Sequence, residues 1–378
     1  MMQQAQGGEY ITEKDVEAYV QEVGQKLAAV SDRPNLPYEF VVLNNSVPNA
    51  WSLPGGKIAI YRGLLLELNS EAELAAVLAH EIVHSAARHG AQAMERGVLM
   101  SAGLIGLSQI LKGHKYEEVA MGTASLGANL GTLKYSRIAE LQADKYGIKY
   151  MVAAGYDPEA AVDLQRLFLK LSEGKRANWF STLFATHPPS EERLKANETS
   201  VTEYPAGGKI GKEEYQEAMA PLKKAKPAYE NLDKGYKDLL AKNPKGALLY
   251  AQEGLEIEPN EAHLYNLKGK AEFALRNYQD ALDAFNQAIE LNNNYFDFYL
   301  QRGLVLKKLG DNNEAKDDLA RSIALLPSAE AEYGLGQIDL MEGNRASAIY
   351  HFQNAAQVDA PIGARSRQRL AEMSIPGE

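Results

Sequence analysis

Residues 72–87 read AELAAVLAHEIVHSAA. The run is mostly apolar, and besides Glu73 and Ser85 near its ends, three polar side chains, His80, Glu81 and His84, interrupt it. Four residues along a helix advance about 6 Å and turn about 400°. Both imidazoles therefore leave one face, one turn apart, where they can grip a single ion. Zinc takes imidazole nitrogen readily in a tetrahedral shell. Glu81 lies about 100° round the helix, within reach of a water on the metal without ligating the metal itself, and can accept that water's proton. His-Glu-x-x-His is the spacing of a metal site with a built-in base. The chain has seven histidines, so the pattern arises by chance on the order of once in a hundred such sequences. On a mostly buried helix each polar group needs a partner, and one metal serves all three.

A catalytic zinc needs a third protein ligand and an open position. The best carboxylate is Glu140, in Ala139-Glu140-Leu141-Gln142-Ala143-Asp144. Asp144 follows one turn along the same helical face. Glu140 is the expected ligand, and Asp144 is expected to hold the N–H of a ligand histidine. His89 falls off the ligand face of its helix, and His114 lies in an apolar segment; neither receives a role.

Outward from this centre, Val16, Tyr19, Val20, Val23 and Leu27 share one helical face within residues 9–30. Tyr38–Leu43 (YEFVVL) and Lys57–Tyr61 (KIAIY) read as strands, with the turn-rich NNSVPNAWSLPGG between them. Ser70 and Glu73 form a capping box that starts the histidine helix, which is expected to continue to about Arg96. Further helices are expected over Ser136–Ala154, Pro158–Leu171 and after Thr186-His187-Pro188-Pro189. A peptide substrate is expected to pair with Lys57–Tyr61 as a sheet edge. Gly97–Leu111 and Met121–Leu133 are rich in apolar and small residues. They read as a helical hairpin, or as a flap at 97–133 that gates the site or makes peripheral membrane contact.

Beyond about residue 226 a repeat takes over. Gly235, Gly269 and Gly303 stand 34 apart, as do Ala247, Ala281 and Ala315, and Pro259 and Pro327 are two such periods apart. Gly336 and Ala348 continue the series one residue short. This is the tetratricopeptide signature: small residues let paired helices close up, and each pair buries its face on the next. The reading divides the chain into a metal-binding domain (1–200), a linker (201–225, overlapping Thr199–Gly211, TSVTEYPAGGKIG) and about four repeats with a capping helix (226–378).

The net charge of −10 argues against nucleic acid as a partner, because phosphate binding calls for a basic surface. The absence of cysteine excludes disulfides and thiolate metal sites. The opening MMQQAQGGEY lacks the basic start and apolar core of a signal peptide, which leaves a cytosolic protein or an exported one in mature form.

Three motifs in order, His80-Glu-Ile-Val-His84, Glu140-Leu-Gln-Ala-Asp144 and His187-Pro-Pro-Ser-Glu-Glu-Arg193, resemble the HtpX-type zinc metallopeptidases, as does Asn49-Ala-Trp-Ser-Leu-Pro-Gly-Gly-Lys57. The attached repeats make the chain most similar to the periplasmic BepA-like members. The resemblance implies one Zn²⁺ on His80, His84 and Glu140, with Glu81 as base and Asp144 supporting or donating a proton. It places His187 and Arg193 near the metal, with His187 as a fourth ligand that keeps the site latent; near the metal, Arg193 is expected to help stabilise a developing oxyanion. It implies a periplasmic location and a role with misassembled outer-membrane proteins and their assembly machinery, reached through the repeats. The fold class follows: an α+β zincin-like metallopeptidase domain, then an all-α tetratricopeptide-repeat solenoid. The rival reading is a chaperone or scaffold whose repeats bind clients while the peptidase site stays latent.

Overall fold

The first domain is organised by three short strands. β1 (Glu39–Leu43) and β3 (Lys57–Tyr61) pair in parallel, and β2 (Ala50–Leu53) runs antiparallel to β3, giving the order β1-β3-β2. Val41, Leu43, Trp51, Ala59 and Tyr61 cluster on one face. Alternation along the strands turns Phe40, Val42, Ile58 and Ile60, all buried, to the other face, where helix α1 (Lys14–Ala29) packs. The computed structural model describes residues 1–93, 95, 135–173 and 178–374. The 97–133 segment, with its expected hairpin and membrane contact, and His114 lie outside the described residues.

Two expectations change here. Ala50–Leu53, taken as part of a turn-rich connection, is a strand, because β3 supplies a partner for it. Lys57–Tyr61 is the central strand, hydrogen-bonded on both sides. A central strand has no free row of N–H and C=O groups to offer a peptide. The edge strand on the histidine-helix side is β2, whose Leu53 carbonyl accepts from Ser85 Oγ at 2.8 Å.

Helix α2 (Glu71–Ala86) carries the HExxH motif and is buried over most of its surface. Ser70 Oγ accepts from Glu73 N at 3.2 Å, and the Glu73 carboxylate reaches back to Asn69 N at 2.7 Å, so the capping box closes one residue early. Helix α3 (Arg137–Ala153), capped by Ser136, lies against α2. Helices α4 (Glu159–Glu173), α5 (Ser181–Thr186) and α6 (Glu191–Val201) follow. The α2 helix stops short of the expected Arg96. Ala87 caps it, and Arg88 takes a left-handed φ of 60°, after which helical structure resumes at His89.

The chain divides into two units, Glu9–Lys224 with Met2, and Ala225–Glu378 with Met1 and Gln3–Gly8. Residues 201–225, expected as a linker, belong mostly to the first. Lys209 Nζ donates to both oxygens of the buried Glu71 carboxylate at 2.8 and 2.7 Å, and Tyr215 OH donates to Leu65 O at 2.7 Å. In the second unit, Gln4 Nε2 donates to Asn294 O at 2.6 Å, and Phe296 N donates to Gln4 Oε1 at 2.8 Å.

The second unit is helical throughout its described residues from Ala225 onward, apart from short turns. After the helix that ends at Leu240, pairs form from Ala262–Ala274 with Tyr278–Leu291, Phe296–Leu309 with Asn312–Leu325, and Ala329–Met341 with Arg345–Ala355. Pro361–Ser374 packs on the last pair. The period of 34 has a steric cause. A Cβ on Gly269 would stand 2.6 Å from the Phe285 ring, and one on Gly303 would stand 3.0 Å from Leu319. The fold class matches the expectation from sequence: a small sheet with packed helices, then tetratricopeptide repeats.

Candidate metal centre

Three elements bring the expected residues together. His80 and His84 project from α2, Glu140 from the first turn of α3, and His187 from the turn that ends α5. His84, Glu140 and His187 are buried. His80 Nε2 lies 3.0 Å from His84 Nε2, 3.3 Å from His187 Nδ1 and 3.6 Å from Glu140 Oε2. Glu140 Oε1 lies 3.4 Å from His84 Nε2 and 3.2 Å from His187 Nδ1. A tetrahedron with metal–ligand bonds of about 2.0–2.1 Å has edges of about 3.3–3.4 Å. These separations of 3.0 to 3.6 Å are close to such edges, and one donor atom from each of the four residues lies within 4.8 Å of the others.

Charge fits as well. Glu81, Glu140 and Asp144 are buried around one guanidinium, that of Arg193. With neutral imidazoles, three carboxylates against one cation leave an excess of two negative charges, the complement of a divalent ion. The same field acts on His80: burial works to lower its pKa, but Asp144 and Glu140 hold it up, to about 10. Burial pushes His84 well below its ordinary value. Two buried atoms at the cluster, Glu81 Oε2 and His187 Nε2, make no hydrogen bond; His187 Nε2 faces Glu81 Oε1 at 3.4 Å. Unmade polar groups are costly inside a protein, and an ion that takes His187 Nδ1 leaves the Nε2 proton facing Glu81.

Supporting contacts set the tautomers. Asp144 Oδ1 lies 3.0 Å from His80 Nδ1. A carboxylate only accepts, so His80 keeps a proton on Nδ1, and a divalent ion at the cluster would take its Nε2 in place of the second proton that the carboxylates otherwise hold there. Burial works to raise the pKa of Asp144, but Arg193 and His80 lower it. Asp144 is therefore an acceptor that orients His80, which replaces the proton-donor role implied by the resemblance. Arg193 Nε and Nη2 both donate to Asp144 at 2.7 Å, and Nη1 lies 2.8 Å from Glu140 and donates to Pro188 O at 3.2 Å. All three nitrogens are engaged within the chain. That geometry suits a residue that positions the two carboxylates, not the expected oxyanion donor.

Sequence reasoning missed three residues here. His89 is 3 % exposed; its Nδ1 lies 2.9 Å from His84 Nδ1 and its Nε2 lies 3.0 Å from Gln142 Oε1. On a continuous helix His89 would point away from His84, but the left-handed Arg88 folds it back. The amide oxygen of Gln142 accepts, so His89 holds its proton on Nε2 and accepts at Nδ1. His84 then donates from Nδ1 and presents a bare Nε2. Tyr135, just ahead of α3, stacks on the His84 ring with centroids 3.8 Å apart. Gln142 lies inside the Glu140–Asp144 motif without a role of its own there, and His89 and Tyr135 depend on a helix break and a packing contact that no motif marks.

Comparison with known proteins matches family models to both parts of the chain. Residues 14–200 match the model of peptidase family M48, residues 269–310 a TPR repeat, and residues 296–328 a tetratricopeptide repeat. The mitochondrial metalloendopeptidase OMA1 of Schizosaccharomyces pombe is 35% identical over 188 residues, 49% of this chain and 53% of that protein. OMA1 of Arabidopsis thaliana is 32% identical over 44% of this chain and 32% of that protein. The beta-barrel assembly-enhancing protease of Yersinia pestis is 30% identical over 47% of this chain and 37% of that protein. The matches thus span about half or less of these relatives' own lengths. The chain carries a peptidase family M48 domain followed by tetratricopeptide repeats.

Proposed function

We propose that this chain is a zinc-dependent endopeptidase acting on protein substrates in the cell envelope, with the repeats recruiting substrate or partner. The observation that carries the reading is the convergence of the His80, His84, Glu140 and His187 donor atoms within 4.8 Å of one another, with the Glu81 carboxylate beside them. His80, His84 and Glu140 would hold the ion. A bound zinc lowers the pKa of water and polarises a carbonyl oxygen. Glu81 Oε2, buried and unpartnered, is the oxygen positioned to take and return a proton. Asp144 and the His89–Gln142 pair fix the two imidazoles, and Arg193 holds Asp144 and Glu140 in place. His187 Nδ1 fills the fourth corner, so substrate must displace it, and the two prolines that follow restrict the turn that carries it.

The periplasm, and outer-membrane proteins as clients, follow from the resemblance to beta-barrel assembly-enhancing proteases. No helix among the described residues is long and apolar enough to cross a membrane. The occupied fourth corner also favours a second reading, a client-binding scaffold with a latent site. The test is cleavage of an unstructured protein such as β-casein by the zinc-loaded chain, with zinc content measured against a His80→Ala control. Glu81→Gln should retain zinc and lose cleavage by about 10²-fold or more. Cleavage by Glu81→Gln at the wild-type rate would refute the assigned base.

A further inference from the structure

We propose that the cavity beside the histidine cluster is a substrate side-chain pocket that selects a primary amide, glutamine or asparagine; the inference rests on the peptidase reading above. The cavity measures about 60 Å³, several times the ~10–15 Å³ that one water needs by that measure. It shares His80, Glu81 and His187 with the candidate metal centre, so a side chain entering it belongs to a residue next to the bond being cut. Much of its wall is apolar, formed by Val77, Ile148, Met151, Leu164, Phe168 and Leu183.

Two amides stand in that wall, Gln165 from α4 and Asn197 from α6, 8% and 2% exposed. Gln165 Oε1 and Asn197 Oδ1 are both buried, and neither has a hydrogen-bond partner. A pocket for leucine or methionine would be better lined without them, because unmade buried acceptors are costly. Two unmet acceptor oxygens call for two donors on one ligand group. The –NH₂ of a primary amide supplies two. A hydroxyl or indole supplies one donor. A lysine or arginine would bring a second cation to a cavity already lined by Arg193, and an acidic side chain would face Glu81 and two oxygens.

The test uses the zinc-loaded full chain and a pair of peptides that differ only in glutamine or leucine at the positions flanking the cut. Wild type should cleave the glutamine peptide about tenfold faster or more, the size of one unmade buried hydrogen bond. Asn197→Leu and Gln165→Leu should reverse the preference. Anisotropy of the labelled peptides on zinc-loaded Glu81→Gln should show the same order of affinity without turnover. Cleavage that depends on Glu81 yet treats the two peptides alike overturns the pocket assignment alone. Absence of Glu81-dependent cleavage overturns the peptidase reading, and this inference with it. The first comparison needs only wild-type protein, so it decides the matter even if a variant does not fold.

Discussion

His89→Leu is the sharpest perturbation of the metal centre, because His89 touches the expected ion only through His84. The buried imidazole accepts the His84 Nδ1–H at 2.9 Å and passes the polarity on to Gln142 at 3.0 Å. Leucine fills part of the space and removes the acceptor. His84 then keeps a buried N–H with no partner there, or turns and loses its alignment. An unsatisfied buried donor costs about 1–3 kcal/mol, and at about 1.4 kcal/mol per tenfold zinc should bind roughly 5- to 150-fold more weakly. That range brackets the 10- to 100-fold typical of groups that orient a ligand histidine. The assay is zinc competition against a chromophoric chelator at fixed pH. Gln142→Glu supplies an oxygen that can only accept, and should hold affinity within about threefold. Zinc binding by His89→Leu within about twofold of wild type, or a loss in Gln142→Glu as large as in His89→Leu, would show that His89 does not set the His84 tautomer.

Two further outcomes concern stability. Tyr19 OH, Tyr156 OH and Lys209 Nζ converge on the buried Glu71 carboxylate; burial works to raise its pKa, but these partners bring it below its ordinary 4.5. A depressed carboxylate contributes stability above its unfolded pKa and loses it as pH falls through the folded value. The gap in urea midpoint between wild type and Glu71→Gln should therefore stay constant above pH 4.5 and close below it, and a gap still full at about pH 3 would contradict the assignment. Gly269→Ala drives a Cβ to 2.6 Å from the Phe285 ring and should destabilise the repeats by about 1–3 kcal/mol; an unshifted circular-dichroism melt would show that the contact yields.

Some of this protein was readable because the information is local. The capped start of α2, the one-face placement of His80 and His84, and the Glu140–Asp144 pair one turn apart all follow from helical periodicity. The 34-residue repeat was readable because each glycine meets the same kind of neighbour in successive helix pairs. What was misread depended on partners distant in sequence. Ala50–Leu53 is too short, and too closely flanked by Pro48 and Pro54, to look like a strand until β3 pairs with it. Lys57–Tyr61 looked like a substrate edge because strand order is not written in strand composition. Arg193 was expected to stabilise an oxyanion, but Asp144 and Glu140 occupy its nitrogens.

The amino-acid sequence by itself placed His80 and His84 on one face, since a helix of known pitch fixes the direction of residues one turn apart. Only the tertiary structure decided how those side chains are held. The left-handed turn at Arg88 returns His89 to His84, the packing of α3 on α2 sets Asp144 against His80, and the turn after α5 carries His187 to the fourth corner. Hydrogen bonds act over about 3 Å, so a residue's role in such a centre depends on packing that brings distant segments to that distance, which no local pattern encodes.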